Sequence, residues 1–216
     1  MRKQWERSED GGVGQQQDRE IAERAARDAA QSGDAYSELL AEGLRYLSKE
    51  DTRRAARAFR EAIALRPDKP EAYYNLGAAL NNSGHYVEAA QRFLEAKERC
   101  QVGSERWAGA TARGFNMLTK KACAEVAKPE WWSDEGLKAL SARVVRAAPA
   151  DVDASQMRAM VLHGRCVAWE AGPRSAADLM EATAHFERAA ALHPAPAVKA
   201  DLAGNADWCR AEAGAT

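Results

Sequence analysis

The chain is poor in proline, histidine and cysteine, and it has no long hydrophobic run. Seven prolines in 216 residues, with few β-branched stretches, leave long intervals in which nothing interrupts a helix. The abundant Ala, Glu, Arg and Leu lose little rotamer freedom in a helical backbone. The expected fold class is therefore all-α. No apolar stretch approaches the roughly 18–20 residues that cross a bilayer, and Met1 to Asp10 is charged, without a signal-peptide core. A soluble, cytoplasmic protein that is neither secreted nor inserted in a membrane is expected.

Cys100, Cys123, Cys166 and Cys209 stand far apart, with no C-x-x-C pair and no histidine at zinc-finger spacing. They read as packing thiols of a reducing compartment. Charge of one sign is also missing: 31 basic and 32 acidic residues give a net charge of −1, and no overall field recommends nucleic acid or an anionic surface. The arginines of the stretch Arg53 to Arg60 are interspersed with acids and have no aromatics spaced along them for base stacking, so they read as a solvated face.

Signatures of chemistry are absent. The sequence contains no P-loop, no G-x-G-x-x-G after a strand, no H-E-x-x-H helix, no G-x-S-x-G elbow and no acidic calcium loop. His163 and Cys166 lie three apart, a spacing open to a nucleophile–base pair or half a metal site, but two ligands are not a site. The expectation is no catalytic residue, no cofactor and no metal.

What the chain does have is an internal echo. Gly43, Tyr46, Ala55, Phe59 and Ala62 are answered 34 residues later by Gly77, Leu80, Ala89, Phe93 and Ala96. A fixed period of this length marks helix pairs that cannot bury their apolar faces alone and stack to do so. Gly43 and Gly77 let a partner helix approach, and Phe59 and Phe93 are expected to fill the wider space between successive pairs. Gly84 stands in the second hairpin turn, where a positive φ is expected, and Pro67 closes the first pair.

The segment Tyr36 to Gln101 resembles two consecutive tetratricopeptide repeats. Leu39, Gly43 and Tyr46 fall on that family's helix-A packing positions, and Ala55, Phe59, Ala62 and Pro67 on its helix-B positions and closing proline. Tyr73, Leu76, Gly77, Leu80, Ala89, Phe93 and Ala96 repeat the set. Glu42 and Gln101 depart from it, standing where leucine and proline are usual. The resemblance implies a right-handed α-solenoid of about four helix-turn-helix pairs with a C-terminal capping helix.

On this frame residues 1–17, with Gly11, Gly12 and Gly14 followed by glutamines, form a disordered segment. Residues 18–35 form a lead-in helix with Asp18 as N-cap and Ile21 as its only large aliphatic. Regular repeats occupy 36–69 and 70–103, elongated degenerate repeats 104–151 and 152–194, and a capping helix 195–212. The third unit is about 14 residues longer than an unbroken copy and the fourth about 11 longer. Helix A of the fourth is expected to run from Val152 to about Glu170, broken by Gly172 and Pro173. Ser133 and Ser175 are expected N-caps. The insertions, between Ala122 and Ser133 and between Glu170 and Met180, are either tolerated surface turns or part of a contact surface.

The resemblance further implies a protein or peptide partner lying along a concave wall of A helices. Candidate contacts are Leu40 and Leu44 in the first copy and Tyr74, Asn75, Ala78, Asn81 and Asn82 in the second. Tyr74 would offer apolar area and the asparagines hydrogen bonds to a peptide backbone. One subtype of the family grips a terminal carboxylate; only Asn75 matches its pattern, while Glu105 and Gly109 hold its basic positions, so no chaperone-tail clamp is expected. Trp131 and Trp132 are adjacent in an expected loop and are either an exposed anchor or a plug folded over the third pair. Three functions are thus in play: a non-enzymatic interaction module using the concave face, a structural subunit held in a larger complex through the insertions around Trp131 and Trp132, and an enzyme on a helical scaffold.

Overall fold

The computed structural model describes residues 19–25, 27, 33–165, 168, 169 and 171–215. The segment 1–17, Asp18, Cys166, Val167 and Glu170 lie outside the described residues, and with them the cap of the lead-in helix and the thiol of the His163–Cys166 pair.

Helices follow one another without a strand among the described residues. The first pair is α1 (Ala35–Leu47) with α2 (Thr52–Leu65), and the second is α3 (Pro70–Asn82) with α4 (Tyr86–Arg99). The third joins α5 (Glu105–Leu118) to α6 (Asp134–Ala147), and the fourth joins α7 (Val152–His163) to α8 (Ala176–Leu192). A last helix, α9 (Pro196–Ala215), packs on α8. Each helix lies against its predecessor in the chain, so the molecule is an α-solenoid of the repeat type. Residues 19–25 are helical; there Ala22 is buried while Ile21 is 48% exposed, so the small residue rather than the large aliphatic faces the protein.

Local signals start these helices where hydrogen-bonding side chains stand. Asp34, Asp51, Ser104, Ser133, Asp151 and Ser175 each accept a backbone N–H from the first turn of the helix that follows. Ser175 and Asp178 form a reciprocal capping box. Pro70 opens α3, where a missing N–H costs nothing.

The small-against-large pairing is tighter and more local than the spacing suggests. A Cβ built on Gly43 would fall 2.3 Å from the Phe59 ring, and one on Gly77 would fall 3.0 Å from the Phe93 ring. Each phenylalanine therefore packs directly on the glycine of its own pair, and through that contact reaches the neighbouring pair in one continuous core with Leu76, Ala79 and Leu80.

The expected long helix of the fourth unit is corrected. α7 ends at His163, not near Glu170, because Gly164 adopts a left-handed φ of 72° and its N–H returns to the Met160 carbonyl. Arg174 then fills the space behind Gly164, where a Cβ would lie 2.5 Å from its Nε. The insertion accordingly spans 164–175, and Met180 belongs to α8.

The two long connections are ordered by contact with each other's surroundings. Lys128 donates its ammonium to the carbonyls of Leu118 (3.2 Å) and Cys123 (2.6 Å), satisfying groups left open where α5 and a short 3-10 turn, Lys121–Cys123, end. Arg174 makes a two-pronged bridge to Asp134 at 2.9 and 2.6 Å and a third bond to the Val161 carbonyl at 2.9 Å. Its side chain is only 8% exposed. Cys123 and Cys209 are buried free thiols, and Cys100 is a half-buried one. No described helix is long and apolar enough to cross a membrane.

Candidate interaction groove

The A helices do not line up evenly. α1 packs on α3 and α5 packs on α7, but the α3 and α5 backbones stand farther apart, bridged by the side-chain pairs Tyr74–Arg113 and Glu71–Arg106, and a cleft of about 350 Å³ opens between them. It is lined by Tyr74 and Asn75 of α3, Ala96 and Cys100 at the end of α4, Gly109 of α5, and Asp151 ahead of α7. Gly109 lies on its wall, where an added Cβ would make only an ordinary contact with the Tyr74 hydroxyl at 3.8 Å.

Tyr74 is fixed by its neighbours. Its ring stands edge-on to Phe93 with centroids 5.4 Å apart, and the Arg113 guanidinium lies 5.1 Å from its centroid. Burial raises its hydroxyl pKa. Arg113 is held in turn by Asp153, whose carboxylate accepts from Arg113 Nε at 3.0 Å and from Asn116 Nδ2 at 3.1 Å. That bond sets the orientation of the Asn116 amide and leaves its Oδ1 buried without a partner among the described residues.

A second cleft, of about 590 Å³, shares Asp151 with the first and adds Asn81, Arg113, Asn116 and Asp153. Asp151 caps α7, its Oδ1 accepting the Ala154 N–H at 2.7 Å. Burial raises its carboxyl pKa above the ordinary value, and the neighbouring Asp153 charge acts in the same direction.

In part of the chain a family is recognised as well: residues 40–103 match the family model described as tetratricopeptide repeat. Residues 40–103 thus carry the tetratricopeptide-repeat pattern. No curated protein matches it. Repeats of this family mediate protein–protein contacts, and their fold is typically a scaffold rather than a catalyst.

The structure distributes the candidate residues unevenly over the repeats. Tyr74 and Asn75 line the first cleft and Asn81 the second. Leu40, Leu44 and Ala78 are half-buried against the core shared by the first two pairs, and Asn82 is exposed at the end of α3. Trp131 and Trp132 are brought together elsewhere. Their centroids are 5.5 Å apart, Trp132 packs on Phe115 and Trp169, and its Nε1 donates to the Ala168 carbonyl at 3.0 Å. Both rings are half-buried between two core clusters, as the plug reading expects.

Sequence reasoning did not place Arg113, Asn116, Asp151 or Asp153 in the groove. A signal existed for its far wall: Gly109 stands one repeat period after Asn75. Asp151 carried only the signature of a helix cap, which says nothing of what its second face meets.

Proposed function

We propose that the protein is a non-enzymatic interaction module that holds a segment of a partner protein in the cleft between α3 and α5. Tyr74 contributes apolar contact, and Asn75 and Asn81 bond the peptide's main chain. The observation that carries this reading is the parting of α3 and α5 over Tyr74 and Asn75, where the neighbouring A helices are in contact. A gap lined by helices packed into the solenoid is pre-organised for an extended or helical segment.

The acidic residues Glu71, Glu105 and Asp151 around this cleft weigh against a terminal carboxylate as the ligand, in keeping with the missing clamp pattern. The convex arginines weigh against nucleic acid, since Arg54, Arg57 and Arg60 lie against Asp51, Glu61 and Glu88. Trp131 and Trp132 are half-buried against two core clusters, which weighs against their serving as the free anchor of the subunit reading.

Photo-crosslinking tests the assignment. A benzophenone side chain at Asn75 or Asn81 is expected to capture the partner, and the same group at Glu130, beside the tryptophans, is not. Capture at Glu130 alone would move the site to the insertion and overturn the proposal.

A further inference from the structure

We infer that the segment held between α3 and α5 presents a lysine or arginine side chain to Asp151, so that the partner class is a peptide basic at one position and apolar beside it. This rests on the groove reading above and adds the chemistry of its occupant.

The argument is one of charge accounting inside the cleft. Glu71 is paired with Arg106, and Asp153 with Arg113 and Asn116. Those pairs are complete within the protein. Glu105 is exposed to solvent, and Asp151 has no such cation among the described residues, for Arg113, the charge that acts on it, is committed through Nε to Asp153 at 3.0 Å. Asp151 has the Ala154 N–H on Oδ1 as its capping bond. It is also the one residue lining both clefts, which puts a partly desolvated carboxylate where a bound chain would pass from one to the other.

Burial disfavours its charged form, and the nearby Asp153 carboxylate and the unpartnered Asn116 Oδ1 add acceptors rather than donors. An incoming ammonium or guanidinium supplies the missing donor and charge in a place already shielded from water, where such a contact discriminates strongly between partners. The aliphatic stem of the same side chain suits the walls formed by Tyr74, Ala96 and Ala110.

The test uses the full chain and a displayed library of random short peptides, with two variants whose folds are checked by thermal melting. Gly109→Leu fills the cleft from a lining position where a Cβ fits without a clash. Asp151→Asn removes the charge but keeps a good N-cap. The expected result is a set of peptides that Gly109→Leu no longer binds, that share one Lys or Arg, and that lose about tenfold or more in affinity with Asp151→Asn. Peptides excluded by Gly109→Leu but indifferent to Asp151→Asn overturn this inference and leave the groove standing. An empty selection, or peptides that Gly109→Leu binds as well as the wild type, overturns the groove and the inference together.

Discussion

Glu50 holds, in the first hairpin turn, the left-handed backbone conformation that Gly84 holds in the second: φ is 60° at Glu50 and 80° at Gly84. The two turns close with the same hydrogen bonds, Glu50 to Leu47 and Asp51 to Tyr46 in one, Gly84 to Asn81 and His85 to Leu80 in the other. One copy of the repeat has the residue this geometry favours and the other pays a steric cost. Glu50→Gly is expected to stabilise the protein by about 1 kcal/mol, read as a raised denaturant midpoint. A midpoint that falls would show that the Glu50 side chain contributes more than its backbone costs.

Gly43 and Gly109 are both helical glycines with opposite surroundings. Replacing Gly43 by alanine drives a Cβ into the Phe59 ring and is expected to cost about 2–3 kcal/mol, with Gly77→Ala costing less because its gap to Phe93 is wider. Gly109→Ala meets only an ordinary contact with the Tyr74 hydroxyl at 3.8 Å and is expected to add about 0.5–1 kcal/mol of stability. Urea unfolding of the three variants measures the order, and a Gly43→Ala protein as stable as wild type would refute it.

Arg174 is gripped on three sides, and its loss leaves Asp134 without its cation. Arg174→Ala is expected to cost about 3 kcal/mol, the low end for a broken buried pair because Asp134 is partly open to solvent. The bond from Arg174 also lowers the Asp134 pKa. Its contribution is whole above the ordinary carboxylate value and is lost as pH falls through the lower folded value, so the wild type and Arg174→Ala converge in stability in strong acid. Denaturant midpoints measured from neutral pH downward check both statements.

His163 stands edge-on between Phe186, with centroids 5.5 Å apart, and Trp208, at 4.7 Å, and its Nε2 is buried without a partner among the described residues. Burial, helped by the charges of Arg165 and Arg174, brings its pKa from 6.5 down to about 4. The unfolded chain therefore takes up the proton first, so stability is full above pH 6.5 and declines as pH falls from there toward 4. His163→Phe is expected to flatten that decline. The buried His185, whose pKa is also lowered by burial, retains a smaller slope of the same sign. A decline that His163→Phe leaves untouched would assign it to other groups.

The repeat echo made the regular half of the fold legible because a 34-residue period constrains Gly43, Phe59 and their counterparts at once. The family resemblance pointed to Tyr74, Asn75 and Asn81, which line the two clefts. The other half was not legible for physical reasons. Gly164 ends α7 by its backbone conformation, and in a single sequence it looks no different from a tolerated helical glycine. Arg113, Asp151 and Asp153 meet only after α5 and α7 pack, and no local pattern encodes that meeting. The tryptophans at 131 and 132 were visible as large apolar surfaces, but their burial depends on Phe115 and Trp169, which approach from elsewhere in the chain.

The grip of Arg174 on Asp134 changes how this protein can be divided. In a simple repeat series any unit can be duplicated, deleted or exchanged, because each meets its neighbours through the same surface. Here the connection inside the fourth pair holds the first residue of α6 in the third. The last two pairs are therefore tied to each other by a contact that a simple repeat series does not contain, and cutting between them breaks it.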